Sequence, residues 1–327
     1  RFDATIGIIA APFTSILLRT ESASSSEIEN LTSSAKQVAL AEIGASQSEN
    51  ARLVFANVRA MSAALDLADD LSVASIVAMH DALLAESAPD FVGSFRGEQV
   101  WIGGGGLSPH EALFVPPHHE RVPDLMRDLI EFASRTDVPV LVHSAIVHAQ
   151  FETIHPFPDG NGRTGRALIH SMLRHGGITR NVTVPVSAGL LQDTSRYFGA
   201  LTSYRSGDLN AIVEAVSEAA LAAINNGSTL VAQLQAAADL WKAEIRARRG
   251  SAPARLQELL IRQPVVTAKI VATELAVSEV AAQTAIDRLV DVGALQQTNS
   301  SKRNRIWHAP LVLAALDDFG RRARRGR

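Results

Sequence analysis

The chain has 327 residues, 46% of them hydrophobic and 5% aromatic, which is material for more than one core and excludes a disordered or fibrous chain. Its formal net charge of -3 excludes nucleic-acid binding through a bulk positive field, so any basic surface must be local. Cysteine is absent, which excludes disulfides, thiolate catalysis and thiolate metal sites and fits a reducing, cytoplasmic compartment.

Alanine, leucine, glutamate and arginine dominate, and apolar residues recur mainly at three and four positions, so the pattern predicts a mainly α fold. The apolar run "IGIIAAPFTSILL" is too short to cross a bilayer, is broken by Pro12 and lacks a signal-peptide pattern, so no membrane association is expected. In the N-terminal segment 1–50, "SSSEIENL" offers two capping boxes, Ser24 with Glu27 and Ser26 with Glu29, which would start a helix there. Helical patterns follow over 51–86, 120–135, 139–152, 163–175, 190–225 and 229–248. One region differs: in 98–117 the β-prone runs 99–102 and 112–115 flank a glycine-rich turn, a hairpin signal.

Asn225, Asn226 and Gly227 read as a helix stop with Ser228 capping a connector over 229–250, and a domain boundary is expected near residue 250. Residues 251–327 then give a helix, a turn at 276–278, a second helix ending at Gly293 and a two-stranded wing, the order of a winged helix-turn-helix.

The densest chemistry lies in "HPFPDGNGRTGR", residues 155–166. Its glycines fit a dinucleotide fingerprint, but no hydrophobic strand precedes them and no acid stands about 20 residues on. A P-loop fails because Arg166 and Ala167 stand where lysine and a hydroxyl belong. The segment still points to phosphates. Pro156 biases His155 out of the helix, Asp159 and Gly160 make a turn, and Gly160 and Gly162 let backbone N–H groups approach a ligand at the start of a helix that favours anions. Arg163 and Arg166, three apart, reach successive phosphates. Asp159 is a hard oxygen ligand suited to Mg2+. His155 is a base for an attacking hydroxyl.

With those residues in view, the chain resembles the Fic family, whose signature HPFx[D/E]GNGRxxR it matches in full. The likeness extends to "HAQFETIHPF" before the loop and to "GEQVWIGG" and "ALFVPP" around the hairpin, covering about residues 20–230. The resemblance implies a helical core over 51–228 with a β-hairpin flap and transfer of AMP from ATP, with Mg2+, to a Tyr, Thr or Ser hydroxyl of a protein, which can include a copy of itself. It makes His155 the base, Phe157 a buried anchor and Asp159 the metal ligand. Gly160, Asn161 and Gly162 would line the α- and β-phosphates, and Arg163 and Arg166 the distal ones. Doc-type kinases lack the complete GNGR that is intact here.

The hairpin edge at Gln99, Val100, Trp101, Ile102 and Gly103 would dock a target strand; a cover for the core with Trp101 buried is the other reading. Ser25, Glu29 and Asn30 match (S/T)xxxE(G/N), which resembles the family's inhibitory helix. That likeness implies Glu29 pairing with Arg166 where the γ-phosphate should sit.

In the C-terminal part, 278–292 would be a recognition helix, with Gln283 and Arg288 as base readers beside Glu279, Asp287 and Asp291. Lys302, Arg303 and Arg305 lie on the expected wing with Trp307, and five more arginines follow in "RRARRGR". DNA contact, protein binding and homo-oligomer formation all remain open for this surface. Two other functions stay in play: a DNA-binding transcriptional regulator whose core senses nucleotide, and transfer of another phosphate-containing group. His118, His119, His143 and His148 read as satisfied or surface groups, with His148 supporting the helix before the loop. Tyr197 and Tyr204 either approach the adenine or pack in the core.

Overall fold

The computed structural model describes residues 2–3, 11–85, 88–103, 109–298 and 303–324. It is mainly helical, with small β elements at the flap and in the C-terminal part. The first long helix, α1 (Ala11–Ile28), ends where the sequence pattern predicts a start. Ser26 therefore does not cap it: its Oγ donates to the Ser22 carbonyl at 2.9 Å, and Asn57 Nδ2 bonds both Ser22 O and Ser26 Oγ. Asn30, at φ 62°, turns the chain away after the helix.

Serine caps then set the starts. Ser34 caps α2 (Ala35–Glu42) and Ser48 caps α3 (Glu49–Asp66). The single helix expected over 51–86 is two, because Ser72 and Ser75 form a reciprocal capping box that begins α4 (Val73–Leu84). Next come α5 (Val122–Ala133), α6 (Val140–Ile154), α7 (Asn161–His175), the short α8 (Val186–Leu190) and α9 (Thr194–Arg205).

Gly207, at φ 97°, and the Asp208 cap interrupt the pattern once more before α10 (Leu209–Ile245). This 37-residue helix runs straight through Asn225, Asn226 and Gly227. The expected stop is overturned by tertiary packing. Buried Asn226 donates to Phe319 O at 3.2 Å and accepts from Arg322 Nε at 2.6 Å. A methyl group on Gly227 would sit 3.1 Å from the Phe2 ring. Ser228 Oγ bonds Ile224 O within the helix, so it caps nothing.

The C-terminal part contains α11 (Ala252–Arg262), β1 (Val265–Val266), α12 (Ala268–Leu275), α13 (Glu279–Asp291), β2 (Gln296–Gln297), β3 (Trp307–His308) and α14 (Pro310–Ala323). The turn at Ala276, φ 49°, and the Ser278 cap stand where the sequence puts them. The strands form an antiparallel sheet in the order β1-β3-β2, with Trp307 opposite both Val266 and Gln297. One cluster of buried apolar side chains runs from Phe13, Ile16 and Leu17 through Leu230 and Trp241 to Leu256, Ile286 and Phe319, so the packing continues across residue 250. No described helix is long and apolar enough to cross a membrane.

The flap is narrower than two four-residue strands. Among the described residues its pairing is one antiparallel bridge, Ile102 with Phe114, closed by Ile102 N to Phe114 O at 2.8 Å and Phe114 N to Ile102 O at 3.2 Å. The glycine-rich turn at 104–108 lies outside the described residues. Gly103, at φ 76°, is needed there, since a methyl group would meet Leu113 at 2.7 Å. Gln99, Val100, Trp101 and Ile102 are half-buried and Gly103 is exposed, so Trp101 is not a core residue.

Candidate active site

Helix α6 ends at Ile154, and His155 follows with φ 50° and ψ 64°, a left-handed conformation after which Pro156 cannot continue the helix. Phe157 is fully buried, stacked on the His80 ring at 3.8 Å. Asn161 staples the loop: its Oδ1 accepts from Phe157 N at 2.9 Å and its Nδ2 donates to Phe157 O at 2.8 Å. Its side chain thus points into the loop, a supporting role beyond the phosphate lining expected from sequence. His80 Nε2 lies 3.0 Å from Asp159 O, and Gly160, at φ 76°, leads into α7.

The loop, the start of α7 and Glu29 enclose a cavity of about 330 Å3 lined by His155, Asp159, Gly160, Gly162 and Arg163. Asp159 presents a carboxylate whose side chain is 62% exposed, 3.5 Å from Arg163 Nη2. Arg163 is buried, and its Nε has no partner in the structure. Burial lowers its pKa.

Arg166, on the same helix, is 1% exposed and does not line the cavity. Its Nε donates to Ser25 Oγ at 2.9 Å, and its Nη2 donates to Ser25 O and to Glu29 Oε1, each at 2.8 Å. Burial opposes its charge, but Glu29, Tyr197 and Glu152 outweigh that and hold it firmly protonated. The last turn of α1 and the residue that follows it thus deliver Ser25 and Glu29 to one guanidinium. Glu29 Oε1 also covers the loop: a methyl group on Gly162 would lie 2.1 Å from it. Asn30 contributes through its backbone turn.

His155 is neutral at physiological pH, because burial, reinforced by Arg96 and Arg205, lowers its pKa to about 4. Its Nδ1 is buried without a hydrogen bond, 3.9 Å from Glu152 Oε2. Burial pushes Glu152 up to about 7. His148, pushed down to about 3 by burial and then by Arg166, meets Tyr197 Oη at 2.7 Å. This buried pair packs behind Arg166, so Tyr197 is a core residue rather than a cavity wall. Tyr204 Oη donates to Gln150.

Three residues that sequence reasoning missed shape the loop: His80, Glu152 and Arg96. His80 and Arg96 act on groups far along the chain, so no local spacing marks them, and Glu152, three residues before His155, is set apart by its burial rather than by its spacing. Arg96 is 4% exposed and donates to backbone carbonyls at both ends of the flap and at His155.

The C-terminal candidates are engaged elsewhere. Gln283 donates to Asp287 at 2.6 Å, one helical turn on, and Arg288 donates to Ile245 O at 2.7 Å. Arg305 sits over the Trp307 ring at 4.9 Å. Arg321 pairs with Asp318, and Arg324 binds both oxygens of Glu27 on α1. Lys302, Arg325 and Arg327 lie outside the described residues. Among the described residues no three His, Asp or Glu side chains converge to hold a metal by themselves.

Residues 70–173 match the Fic/DOC family. The chain is 28% identical over 159 residues to protein adenylyltransferase fic-1 of Caenorhabditis elegans, covering 48% of this chain and 28% of that protein. It is 31% identical over 153 residues to protein adenylyltransferase Fic of Drosophila melanogaster, covering 46% and 28%. The matched region is thus under a third of those relatives' length. Among solved structures, a Fic family protein from Desulfovibrio desulfuricans G20 superposes with TM-score 0.55 at 22% identity, covering 90% of this chain and 87% of that one, a likeness of fold. The Caenorhabditis elegans Fic-1 structure gives TM-score 0.50 at 25% identity, covering 64% of this chain and 62% of that one. Residues 70–173 thus carry a Fic/DOC family domain, within a chain whose fold resembles that of a solved Fic family protein.

Proposed function

We propose that this chain is a protein adenylyltransferase, transferring AMP from ATP to a protein hydroxyl, and that Glu29 restrains it. The observation that carries the reading is one cavity shared by a neutral, buried histidine, a helix N-terminus with glycines and Arg163, and the exposed Asp159 carboxylate. The names of the relatives support adenylyl transfer in particular.

In this reading the target hydroxyl approaches His155, which accepts its proton as the oxygen attacks the α-phosphorus. The bond from that phosphorus to the bridging oxygen breaks, and pyrophosphate leaves. The N–H groups at the start of α7 and the arginines balance the phosphate charge. For Mg2+ the donor set fits in one way: a single exposed carboxylate, Asp159, beside a phosphate cradle suits an ion that keeps most of its waters and shares the substrate's phosphates. Bound there, it would neutralise charge on the phosphates. A carboxylate on Arg166 competes with the distal phosphate, so ATP is excluded or held unproductively while Glu29 stays.

The test is transfer by the Glu29→Gly protein from ATP labelled at the α- or the γ-phosphate. Protein-bound label from the α position alone supports the reading. Label from the γ position alone overturns it in favour of phosphorylation.

A further inference from the structure

Arg96 lies between the flap and the loop, and its whole side chain is committed to backbone carbonyls. Nε donates to His155 O at 2.9 Å, Nη1 to Glu98 O at 2.9 Å, and Nη2 to Pro117 O and, at 3.5 Å, to Ile154 O. Its own backbone N–H donates to Pro156 O at 2.9 Å. Glu98 and Pro117 are where the flap segment leaves and rejoins the body, and Ile154, His155 and Pro156 are the hinge that turns α6 into the loop. One planar fork therefore spans both flap ends and the left-handed histidine.

The left-handed backbone at His155 costs free energy of its own and persists only because its surroundings over-determine it. Phe157 and Asn161 secure the loop downstream. The described donor to the His155 carbonyl itself is Arg96. A lysine keeps the charge but cannot present Nε and two Nη groups in fixed directions.

We infer that Arg96 is a positioning residue that ties the flap, where a target would dock, to the backbone carrying His155, so that the base is correctly placed only while the flap is seated. This rests on the adenylyl-transfer reading. The phosphate cradle is built separately, from Gly160 to Arg166, so Arg96 should govern turnover without governing ATP affinity.

The experiment compares Arg96→Lys and Arg96→Gln on the Glu29→Gly background of the full chain. Arg96→Lys is expected to lower the self-modification rate by on the order of tenfold to a hundredfold, the range for a small misplacement of a reacting group. ATP affinity in the His155→Ala form, measured by isothermal titration, should stay within about twofold, since Arg96 does not line the cavity. The groups facing His155 are Glu152, Arg96, Arg205 and Glu29. The acid limb of the rate should therefore stay in place for Arg96→Lys and move to higher pH for Arg96→Gln, which also removes a cation. Transfer by Arg96→Lys at the parental rate overturns the inference. So does a loss of ATP affinity or melting temperature in proportion to the rate, which would mark a merely structural residue.

Should the Glu29→Gly parent transfer nothing, the adenylyl-transfer reading fails by itself. The His155 imidazole resonance then decides: displaced by Arg96→Lys, with its titration raised only in Arg96→Gln, it supports the positioning role, and unmoved in both it overturns it.

Discussion

The Arg166 guanidinium donates to the Glu29 carboxylate at 2.8 Å across 137 residues of sequence. Ser25, four residues before Glu29 in the last turn of α1, supplies two further acceptors to that guanidinium. The proposed restraint would therefore act through a three-point clasp. Ser25→Ala removes one neutral acceptor and leaves the charged pair, so it should raise transfer only partly. Added to Glu29→Gly it should change little, because the competing carboxylate is already gone. Initial rates of the three proteins check this, and a Ser25→Ala rate equal to that of Glu29→Gly would contradict it.

The pH dependence follows from two buried groups of opposite sign. His155, at about 4 when folded against 6.5 as its reference, binds fewer protons folded than unfolded, so its contribution falls as pH drops through that window. Glu152, at about 7 against 4.5, holds a proton when folded, so its contribution is present below 4.5 and is lost as pH rises through 7. Glu152→Gln, an uncharged mimic of the folded form, should be the more stable protein at pH 8, by on the order of 3 kcal/mol at most. Denaturation at pH 5 and pH 8 checks this; an unchanged difference between wild type and variant at the two pH values would contradict it.

Transfer should keep its base well into acid. With His155 near 4 even beside Glu29, whose charge raises it, the acid limb of the Glu29→Gly rate should lie more than two units below that of an ordinary histidine. A midpoint near 6.5 would contradict the burial of the base.

The continuous α10 makes a local prediction. Asn226→Ala strips partners from Phe319 O and Arg322 and should cost about 1–3 kcal/mol. Asn225→Ala, at an exposed helix position, should be neutral or slightly stabilising. Chemical denaturation of both variants checks this; equal effects would return Asn225 and Asn226 to a shared turn.

The loop was legible because its constraints are local. Pro156, the turn at Asp159 and the glycines each impose a backbone shape that needs no partner from afar. The Glu29 pairing was legible only as a resemblance, since "SSSEIENL" reads equally as a helix start and the structure makes it a helix end. Asn226 and Gly227 misled for the same reason: their turn preference yields to Phe319, Arg322 and Phe2, which the sequence places far away. Arg96 was invisible, because its partners are carbonyls, which carry no residue identity. The C-terminal helix pair and strands followed their caps and Gly293, whereas the bond from Arg288 to Ile245 O depended on a neighbour no pattern names.

The most direct test of a restrained, histidine-dependent transferase is intact mass of wild-type, Glu29→Gly and Glu29→Gly/His155→Ala proteins after incubation with ATP and Mg2+. The account predicts adenylyl-sized increments in Glu29→Gly, few or none in wild type and none in the double variant. Equal modification of wild type and Glu29→Gly, or modification that survives loss of His155, would contradict it.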